Sequence, residues 1–386
     1  MMKKICNPAL IVLSIGFLFS TACQKSLTGE KWPEEKAWEW YNQQPWFVGT
    51  NFVPNTAINP LEMWQAETFD PVTIDRELRW SADLGMNMHR VFLHNLVWEQ
   101  DNEAFLDRVD QFLTIADQHG IKTMLVLFDD VWDPLPQSGP QREPVAGRHN
   151  SGWVQSPGRL YLEDSTKHVK LETYVKSVMR RFKNDPRVSI WDIYNEPGNS
   201  NGGSYGATSE YKTELPHDDK LRYSLLLVKK CFKWAREVNP SQPITMGIWE
   251  GNTDTWGSPD KLSELNRVMI ENSDIVSFHT YDSKAEDVER KITQLKLYGR
   301  PIMCTEYMAR SNQNTFYGVL PILKREKIGA MNWGLVAGKT NTIYPWSSWD
   351  KAFEREPEVW FHDILRVDGT PYDTAEVDFI KSLTRR

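Results

Sequence analysis

The sequence predicts an α/β protein built as a (β/α)8 (TIM) barrel, and three observations support this fold class. Short apolar runs alternate with helical patterns, which favours βα units and a parallel sheet. There are eight such runs, with about as many helices. The residues beyond the roughly 250 of a typical barrel lie mostly after the third, fourth and eighth runs. A doubly wound sheet is the alternative fold, but no glycine-rich phosphate motif follows any run.

Each predicted strand is a run of strand-forming residues bounded by turn or loop signals. The third strand is almost wholly apolar, as expected when both faces of a strand are covered. Pro197 and Gly198 stop the fourth strand. The predicted strands are residues 46–52, 87–93, 121–128, 188–194, 244–248, 275–278, 301–304 and 329–333.

The predicted helices fill the intervals between these strands. Gly85 and Gly120 end two of them, because glycine commonly follows the last helical residue. Residues 132–164 instead form a long loop, whose Trp132, Trp153 and Tyr161 favour an ordered wall of a cleft. The predicted helices are residues 33–41, 73–84, 102–119, 165–183, 220–238, 260–271, 285–297 and 315–326, with one or two closing helices in 359–383.

Composition narrows the classes of function. The 386 residues can bury a full core, and the formal net charge of −7 gives no sign of a nucleic-acid partner, which would favour a basic face. The 17 tryptophans are several times the number expected. Indole rings stack on flat apolar surfaces, including the apolar faces of sugars, although most of these tryptophans are expected in the core.

The N-terminus has the pattern of a targeting segment. A basic start precedes an apolar stretch, residues 9–19, that is shorter than a membrane-spanning helix. Residues 1–22 therefore resemble a bacterial lipoprotein signal, with Cys23 as the lipidated first mature residue and 23–30 as a tether. Simple secretory cleavage near Ala22 is the alternative. The expected location is a membrane-anchored lipoprotein in the periplasm or at the cell surface. Residues 31–386 form the predicted catalytic domain, in which Cys231 and Cys304 are expected to be buried free thiols.

Two strand ends carry a glutamate. The fourth strand runs into Asn195-Glu196-Pro197, and the seventh ends at Glu306. Barrels place their chemistry at the carboxyl ends of the strands. Paired carboxylates at two strand ends are what glycoside hydrolysis requires. The alternatives are a surface glutamate that opens a loop, for Glu196, and a buried structural ion pair, for Glu306.

With these motifs the chain resembles the clan of (β/α)8 retaining glycoside hydrolases, and it is most similar to family 5, the cellulases and mannanases. The resemblance covers residues 46 to about 333. It implies that Glu196 is the acid/base and Glu306 the nucleophile, one neutral to donate a proton and the other charged to attack. A retaining enzyme needs the two carboxyl groups about 5–5.5 Å apart.

The resemblance also implies roles for five further residues. Asn195 would hydrogen-bond the sugar 2-hydroxyl, and Arg90 would contact the nucleophile; an outward-facing salt bridge is the alternative for Arg90. In the His-x-Tyr motif after strand six, Tyr281 would donate to Glu306 and His279 would line the sugar site. Trp333 at the end of strand eight matches the platform beneath the reacting sugar. Read alone, His279 and Trp333 would be core residues.

The chain departs from the family pattern after strand three. The family carries a histidine there, whereas this chain has Asp129 and Asp130, which either bind sugar hydroxyls or cap the loop. This departure leaves the substrate open. Other strand-exit residues predicted to line the cleft are His94, Trp132 and Trp249.

The sequence thus predicts a retaining β-glycosidase that acts on a polysaccharide or oligosaccharide. The long loops and many tryptophans favour endo-action, of the β-mannanase, β-glucanase or xylanase type. The alternatives are an exo-acting β-mannosidase, β-glucosidase or β-galactosidase, and a non-catalytic glycan-binding lipoprotein. We expect no metal, because no spacing of ligand residues supports a metal site. We also expect no cofactor and no nucleic-acid partner. Membrane contact is expected only through a lipid anchor at Cys23.

Overall fold

A computed structural model describes residues 29–201 and 214–385, which form an eight-stranded parallel barrel surrounded by helices. The predicted leader, Cys23 and most of the predicted tether lie outside these residues. The strands are β1 Val48–Asn51, β2 Met88–Phe92, β3 Lys122–Val126, β4 Val188–Asp192, β5 Ile244–Thr245, β6 Val276–His279, β7 Ile302–Tyr307 and β8 Gly329–Trp333.

The helices alternate with these strands, and three short ones were not predicted because four to six residues are too few to show a helical period. The helices are α1 Glu34–Asn42, α2 Pro60–Trp64, α3 Pro71–Asp83, α4 Asn95–Gln100, α5 Asn102–Gln118, α6 Arg159–Leu162, α7 His168–Phe182, α8 His217–Val238, α9 Glu264–Asn272, α10 Ala285–Lys296, α11 Phe316–Arg325 and α12 Thr374–Thr384. None of the helices in the described ranges is long and apolar enough to cross a membrane.

The strands pair in the order β5-β4-β3-β2-β1-β8-β7-β6. A parallel bridge between Ile248 and Phe278 joins the two ends of this order and closes the barrel. β5 is shorter than predicted because the amide of Met246 donates to Ser273 Oγ at 3.1 Å instead of continuing the ladder. All eight predicted strands are present, and the predicted fold is confirmed.

The barrel interior is filled with side chains at its amino-terminal end. One buried cluster contains four methionines, one each from β2, β3, β7 and β8, and the strands' other faces pack against the helices in a larger core. Methionine is unbranched and adapts to irregular gaps, so it suits the tapering centre of a barrel. Cys231 and Cys304 are buried free thiols, as predicted.

Two long loops join over the mouth of the barrel. Residues 129–156 follow β3 and residues 334–363 follow β8, and together we call them the β3–β8 wall. The amide of Asn150 donates to the carbonyl of Thr340 at 2.8 Å, and the amide of Phe353 donates to that of Gly147 at 3.0 Å. Since β2 and β1 lie between β3 and β8 in the sheet, the wall crosses above these two strands.

The tail differs from the prediction. One closing helix, α12, is present, and the residues from 359 to 373 are irregular. They pair with the loop after β8, where the amide of Ala337 donates to the carbonyl of Leu365 at 2.9 Å. Gly369 adopts φ +84° and Pro371 follows it, so a turn replaces the expected helix.

Candidate active site

Glu196 lies in a tight turn directly after β4. Its φ of +43° is in the left-handed region, which is uncommon for a residue with a side chain and is concentrated at functional sites. Residues 195–198, here called the Glu196 turn, end at Gly198, whose φ of +86° suits a glycine. The turn halts the strand and leaves the carboxyl group at the barrel mouth, with its side chain 13% exposed.

Asp130 holds both sides of the Glu196 turn. Its carboxylate accepts from the hydroxyl of Tyr194 at 2.8 Å and from the amide of Gly198 at 2.7 Å. The hydroxyl of Ser224 in α8 donates to it at 2.6 Å, and Lys220 Nζ lies 3.3 Å away. Asp130 is fully buried. Of the two roles predicted for Asp130, fixing the loop is therefore the one that its contacts support.

Replacing Asp130 by Asn tests this role. We expect the free energy of unfolding to fall by about 2 kcal/mol, because the change removes one of the two carboxylates, Asp130 and Glu214, that face the buried Lys220 at 3.3 and 3.4 Å. We also expect a lower kcat on substrates whose leaving group needs protonation by Glu196. Thermal unfolding and steady-state kinetics measure these effects. Ser224→Ala is the matched control, since it removes one hydrogen bond to the same carboxylate and should cost about 1 kcal/mol. Equal effects of the two changes would contradict the assignment.

Glu306 is the fifth residue of β7, and its carboxylate is held by two donors. Arg90 Nη1 donates to Oε1 at 2.9 Å, and the hydroxyl of Tyr281 donates to Oε2 at 2.8 Å. Both contacts were predicted. These donors orient the carboxylate and stabilise its charge, as a nucleophile requires.

Glu196 and Glu306 face each other across the barrel mouth. A carboxylate oxygen of each lies within 4.8 Å of the other and of a ring nitrogen of His279. His279 Nδ1 is 2.8 Å from Glu196 Oε1 and 3.7 Å from Glu306 Oε2. The short carboxylate separation fits the roughly 5–5.5 Å of retaining glycosidases and not the 6.5–9.5 Å that inverting enzymes need for a water. The same three residues have the ligand types of a metal site, but the Arg90 guanidinium beside Glu306 disfavours a cation there.

The two carboxyl groups differ in electrostatic environment. Burial raises the pKa of Glu196 to about 7, opposed by the hydrogen bond from Asn199 and by the charge of Arg90. Burial also raises the pKa of Glu306, with His279 and Arg90 opposing and Glu196 adding to the rise. Because burial lowers the pKa of His279 to about 4, its ring is neutral near pH 7, and Arg90 is the charge that favours ionised Glu306. Glu196 thus keeps a proton near neutral pH, as a general acid must.

Arg90 connects four strands beneath the catalytic pair. Its guanidinium donates to Asp192 Oδ2 at 2.7 Å, to Asn195 Oδ1 at 2.6 Å and to Asn51 Oδ1 at 2.9 Å, besides its bond to Glu306. Its side chain is fully buried, so these acceptors are needed to offset the loss of water. The inward orientation of Arg90 is confirmed, and the outward salt bridge is excluded.

Asp129 and Asn195 form a second layer beside this network. Asn195 Nδ2 donates to Asp129 Oδ1 at 2.8 Å, and Trp153 Nε1 donates to Asp129 Oδ2 at 2.6 Å. The amide of Val131 also donates to Asp129, at 2.9 Å, so this carboxylate caps the loop. Burial raises the pKa of Asp129 to about 8 against these three hydrogen bonds. Asp129 and Asn195 both line the cavity, where their contact with sugar hydroxyls stays a prediction.

The cavity above the catalytic pair has a volume of about 500 Å³. Trp333 at the end of β8 and Trp249 after β5 line the cavity, and so does Trp132 of the β3–β8 wall. The predicted residues that line it are Asp129, Trp132, Asn195, Glu196, Trp249, His279, Tyr281, Glu306 and Trp333. Arg90 lies below, in contact with Glu306.

His94 is a correction to the predicted cleft residues. Its side chain is fully buried and does not line the cavity. Nδ1 accepts from the amide of Leu96 at the start of α4, and Nε2 lies 3.0 Å from the carbonyl of Gln155. Both ring nitrogens therefore contact backbone groups. A position at the end of a strand is not sufficient to predict that a side chain lines the cavity.

Several cavity residues were not predicted. His149, Trp346 and His362 come from the wall, and Asn199 follows the Glu196 turn, where its Nδ2 donates to Glu196 Oε2 at 2.8 Å. These residues lie in loops, where no periodicity indicates which side chains face inward. Asp192 below the cavity was also missed.

The barrel, the paired glutamates and their separation define a retaining O-glycosyl hydrolase. The chain belongs to glycosyl hydrolase family 5, since residues 51–350 match the family model described as cellulase (glycosyl hydrolase family 5). No curated protein matches the chain. The predicted family and enzyme class are confirmed.

Solved structures share the fold at low sequence identity. The exo-β-1,4-mannosidase Op5Man5 of Opitutaceae bacterium strain TAV5 has a TM-score of 0.56 and 15% identity, covering 88% of this chain and 59% of its own. GH5_18 of Streptomyces cattleya in complex with Manb1-4GlcNAc has a TM-score of 0.55 and 12% identity, and the match covers 88% of this chain and 80% of that one. The hyperthermostable endo-1,4-β-D-mannanase of Thermotoga petrophila RKU-1 has a TM-score of 0.51 and 16% identity, and the match covers 88% of this chain and 99% of that one.

Proposed function

We propose that this protein is an exo-acting β-glycosidase that removes one sugar from the non-reducing end of a β-mannoside by the retaining mechanism. Endo-mannanases and an exo-mannosidase are both among the similar folds, so the choice depends on the shape of this chain's own site. The observation that carries the proposal is the β3–β8 wall, which stands at one side of the catalytic pair.

The direction of the substrate follows from the two glutamates. Glu196 protonates the leaving oxygen, so the leaving group extends on the Glu196 side of the cavity, towards Trp249. The sugar that reacts lies over Trp333, with its non-reducing end towards β1 and β2. The wall crosses those two strands, and its Trp132 stacks on Trp349 with ring centroids 6.4 Å apart. A further sugar on this side would have to displace the packed wall.

The chemistry then follows in two steps. Glu306 attacks the anomeric carbon while Glu196 gives its proton to the departing oxygen, which forms a covalent glycosyl-enzyme. Water, deprotonated by Glu196, next releases the sugar with its configuration retained. The sugar is assigned as mannose because the similar folds include β-mannosidase and β-mannanase structures.

Endo-action on a β-mannan is the second candidate. It is favoured by Trp249, which lines the cavity opposite the wall and offers an indole face to a sugar of the leaving group. An indole that binds a sugar of the leaving group is useful to an exo-enzyme and to an endo-enzyme alike. Only an endo-enzyme needs space for further sugars beyond the non-reducing end of the reacting sugar.

Product analysis separates these two modes. We expect the protein from residue 29 onward to convert β-1,4-mannohexaose first into mannose and mannopentaose, and to hydrolyse an aryl β-mannoside. Aryl β-glucoside, β-galactoside and β-xyloside serve as comparisons of sugar specificity. Early release of mannobiose and mannotriose from the hexaose would contradict exo-action. Hydrolysis of another aryl glycoside only would contradict the choice of mannose and leave exo-action standing.

The same enzyme is proposed to be a lipoprotein anchored through Cys23, on the pattern of residues 1–23. We expect the full-length protein, expressed in bacteria, to fractionate with membranes and the Cys23→Ser variant to leave them. Membrane association that survives Cys23→Ser would contradict the anchor.

A further inference from the structure

Two histidines of the β3–β8 wall line the cavity but take no part in the two chemical steps. His149 follows β3 and His362 follows β8, and their ring centroids lie 5.4 Å apart. They are 2% and 1% exposed. Both line the same cavity as Glu196 and Glu306.

The hydrogen bonds at Nδ1 fix the tautomer of each ring. Nδ1 of His149 lies 2.8 Å from the carbonyl oxygen of Tyr344, and Nδ1 of His362 lies 2.5 Å from that of Met308. A carbonyl oxygen only accepts, so each Nδ1 carries the proton and donates. In a neutral imidazole the other nitrogen then has a lone pair, and Nε2 of each ring is a hydrogen-bond acceptor.

Within the part of the chain that the structure describes, the hydrogen bonds of both rings are at Nδ1, and neither Nε2 is a buried atom that lacks a partner, so each Nε2 opens onto the cavity. Burial lowers the pKa of His149 to about 4 and that of His362 well below its usual value. Both rings are therefore neutral at the pH where Glu196 holds its proton. A bound ligand takes water away from these two acceptors, and an acceptor that loses water without gaining a donor is costly, so a ligand that donates two hydrogen bonds fits this part of the cavity.

We propose that His149 and His362 bind the non-reducing end of the substrate by accepting hydrogen bonds from two hydroxyl groups of the sugar that lies over Trp333. The hydroxyls concerned lie opposite the anomeric carbon, at C3 and C4. The hydroxyl groups of a neutral sugar can donate hydrogen bonds to the two Nε2 atoms. A carboxylate or an ionised phosphate has no proton to donate, and its oxygens would face the lone pairs of the two Nε2 atoms unfavourably. This inference rests on the proposed function, because an exo-enzyme must recognise a free end.

Paired substitutions distinguish recognition from support of the wall. Asn replaces Nδ1 with an amide nitrogen that still donates to the backbone carbonyl, but it removes the acceptor at the Nε2 position. Gln places an amide oxygen near the Nε2 position and loses the donor at Nδ1. We expect His362→Asn to lower kcat/KM by about tenfold and His362→Gln by less than about threefold. His149→Asn and His149→Gln should give the same order.

A purely structural role gives the reverse order, with Asn better tolerated than Gln, and that result would overturn the proposal. Thermal unfolding of all four variants identifies any that fail to fold. A second measurement alters the substrate as well as the protein, and compares the wild-type protein with the two Asn variants in the hydrolysis of aryl β-mannosides with fluorine in place of the C3 or C4 hydroxyl. Fluorine cannot donate, so we expect the wild-type protein to lose about tenfold more kcat/KM on one of these analogues than the corresponding Asn variant loses.

The inductive effect of fluorine on the reaction is common to all the proteins and cancels in this comparison. Equal losses in the wild-type protein and in both Asn variants would overturn the proposal. Failure of the proposed function has a different result. If the protein acted as an endo-enzyme or on another sugar, product analysis would show it, and the order of Asn and Gln would still be measured on whichever aryl β-glycoside is hydrolysed.

Discussion

Glu306→Gln is expected to abolish turnover, with kcat/KM at least about 10⁴-fold below that of the wild-type protein. The amide is nearly the same size as the carboxylate but cannot attack the anomeric carbon. Hydrolysis of an activated aryl β-mannoside measures the loss. A 2-deoxy-2-fluoro glycosyl fluoride should add one fluorosugar to the wild-type mass and none to the variant, because the covalent intermediate forms on Glu306.

Glu264→Gln is the matched control for this substitution. Glu264 begins α9 and forms an exposed ion pair with Lys229 at 2.6 Å. The same chemical change there should alter kcat/KM by less than about twofold, since surface ion pairs contribute little. Activity of Glu306→Gln close to that of Glu264→Gln would remove Glu306 as the nucleophile.

Glu196→Ala is expected to give the second largest effect, and its size should depend on the leaving group. For an oligosaccharide, whose leaving oxygen needs a proton, we expect kcat/KM to fall about 10²–10⁴-fold. A 2,4-dinitrophenyl leaving group departs without protonation, so its kcat/KM should fall by less than about tenfold. With that substrate kcat should still fall, because water loses its general base, and added azide should restore kcat and yield a glycosyl azide.

The pH profile tests the same assignment. Because burial raises the pKa of Glu196 to about 7, the protonated form that donates to the leaving oxygen is lost as the pH rises through that value. The wild-type kcat/KM should therefore fall above about pH 7, and Glu196→Ala should lack this basic limb. The acidic limb, from protonation of Glu306, should remain. A basic limb unchanged in Glu196→Ala, or a loss independent of the leaving group, would contradict the role of Glu196.

The fold could be predicted because strands buried on both faces must be apolar. Each of the eight runs became a strand, and only the ends moved by a few residues. Glu196 and Glu306 were found because their motifs are local and stand at strand ends. Arg90 was found by a physical argument, since a guanidinium within an apolar strand needs a buried anion.

The same reasoning could have found Asp192. Ile190 packs inside the barrel, and the period of two along a strand places Asp192 on the same face. An inward arginine with more donors than Glu306 can accept requires a second anion, and Asp192 is the buried carboxylate on β4. This signal is present in the sequence.

The wall could not be predicted in the same way. His149 and His362 are far apart in the chain and lie in loops, where side-chain direction follows from individual backbone hydrogen bonds instead of a period. Whether the cavity is closed at one end depends on contacts between these loops, such as the bond from Trp349 Nε1 to the carbonyl of His149 at 2.9 Å. The sequence therefore does not indicate whether the cavity is closed at one end.

The Arg90 network has a consequence for the charge that the reacting sugar meets. With Asp192 and Glu306 ionised, the buried group of three carries one net negative charge, and the positive charge that develops on the sugar ring in the transition state compensates it. Once Glu306 is esterified by the sugar, Arg90 and Asp192 are left as a neutral pair at 2.7 Å. The guanidinium thus keeps a counter-ion in every state of the cycle, and the covalent intermediate forms without leaving an isolated charge inside the protein.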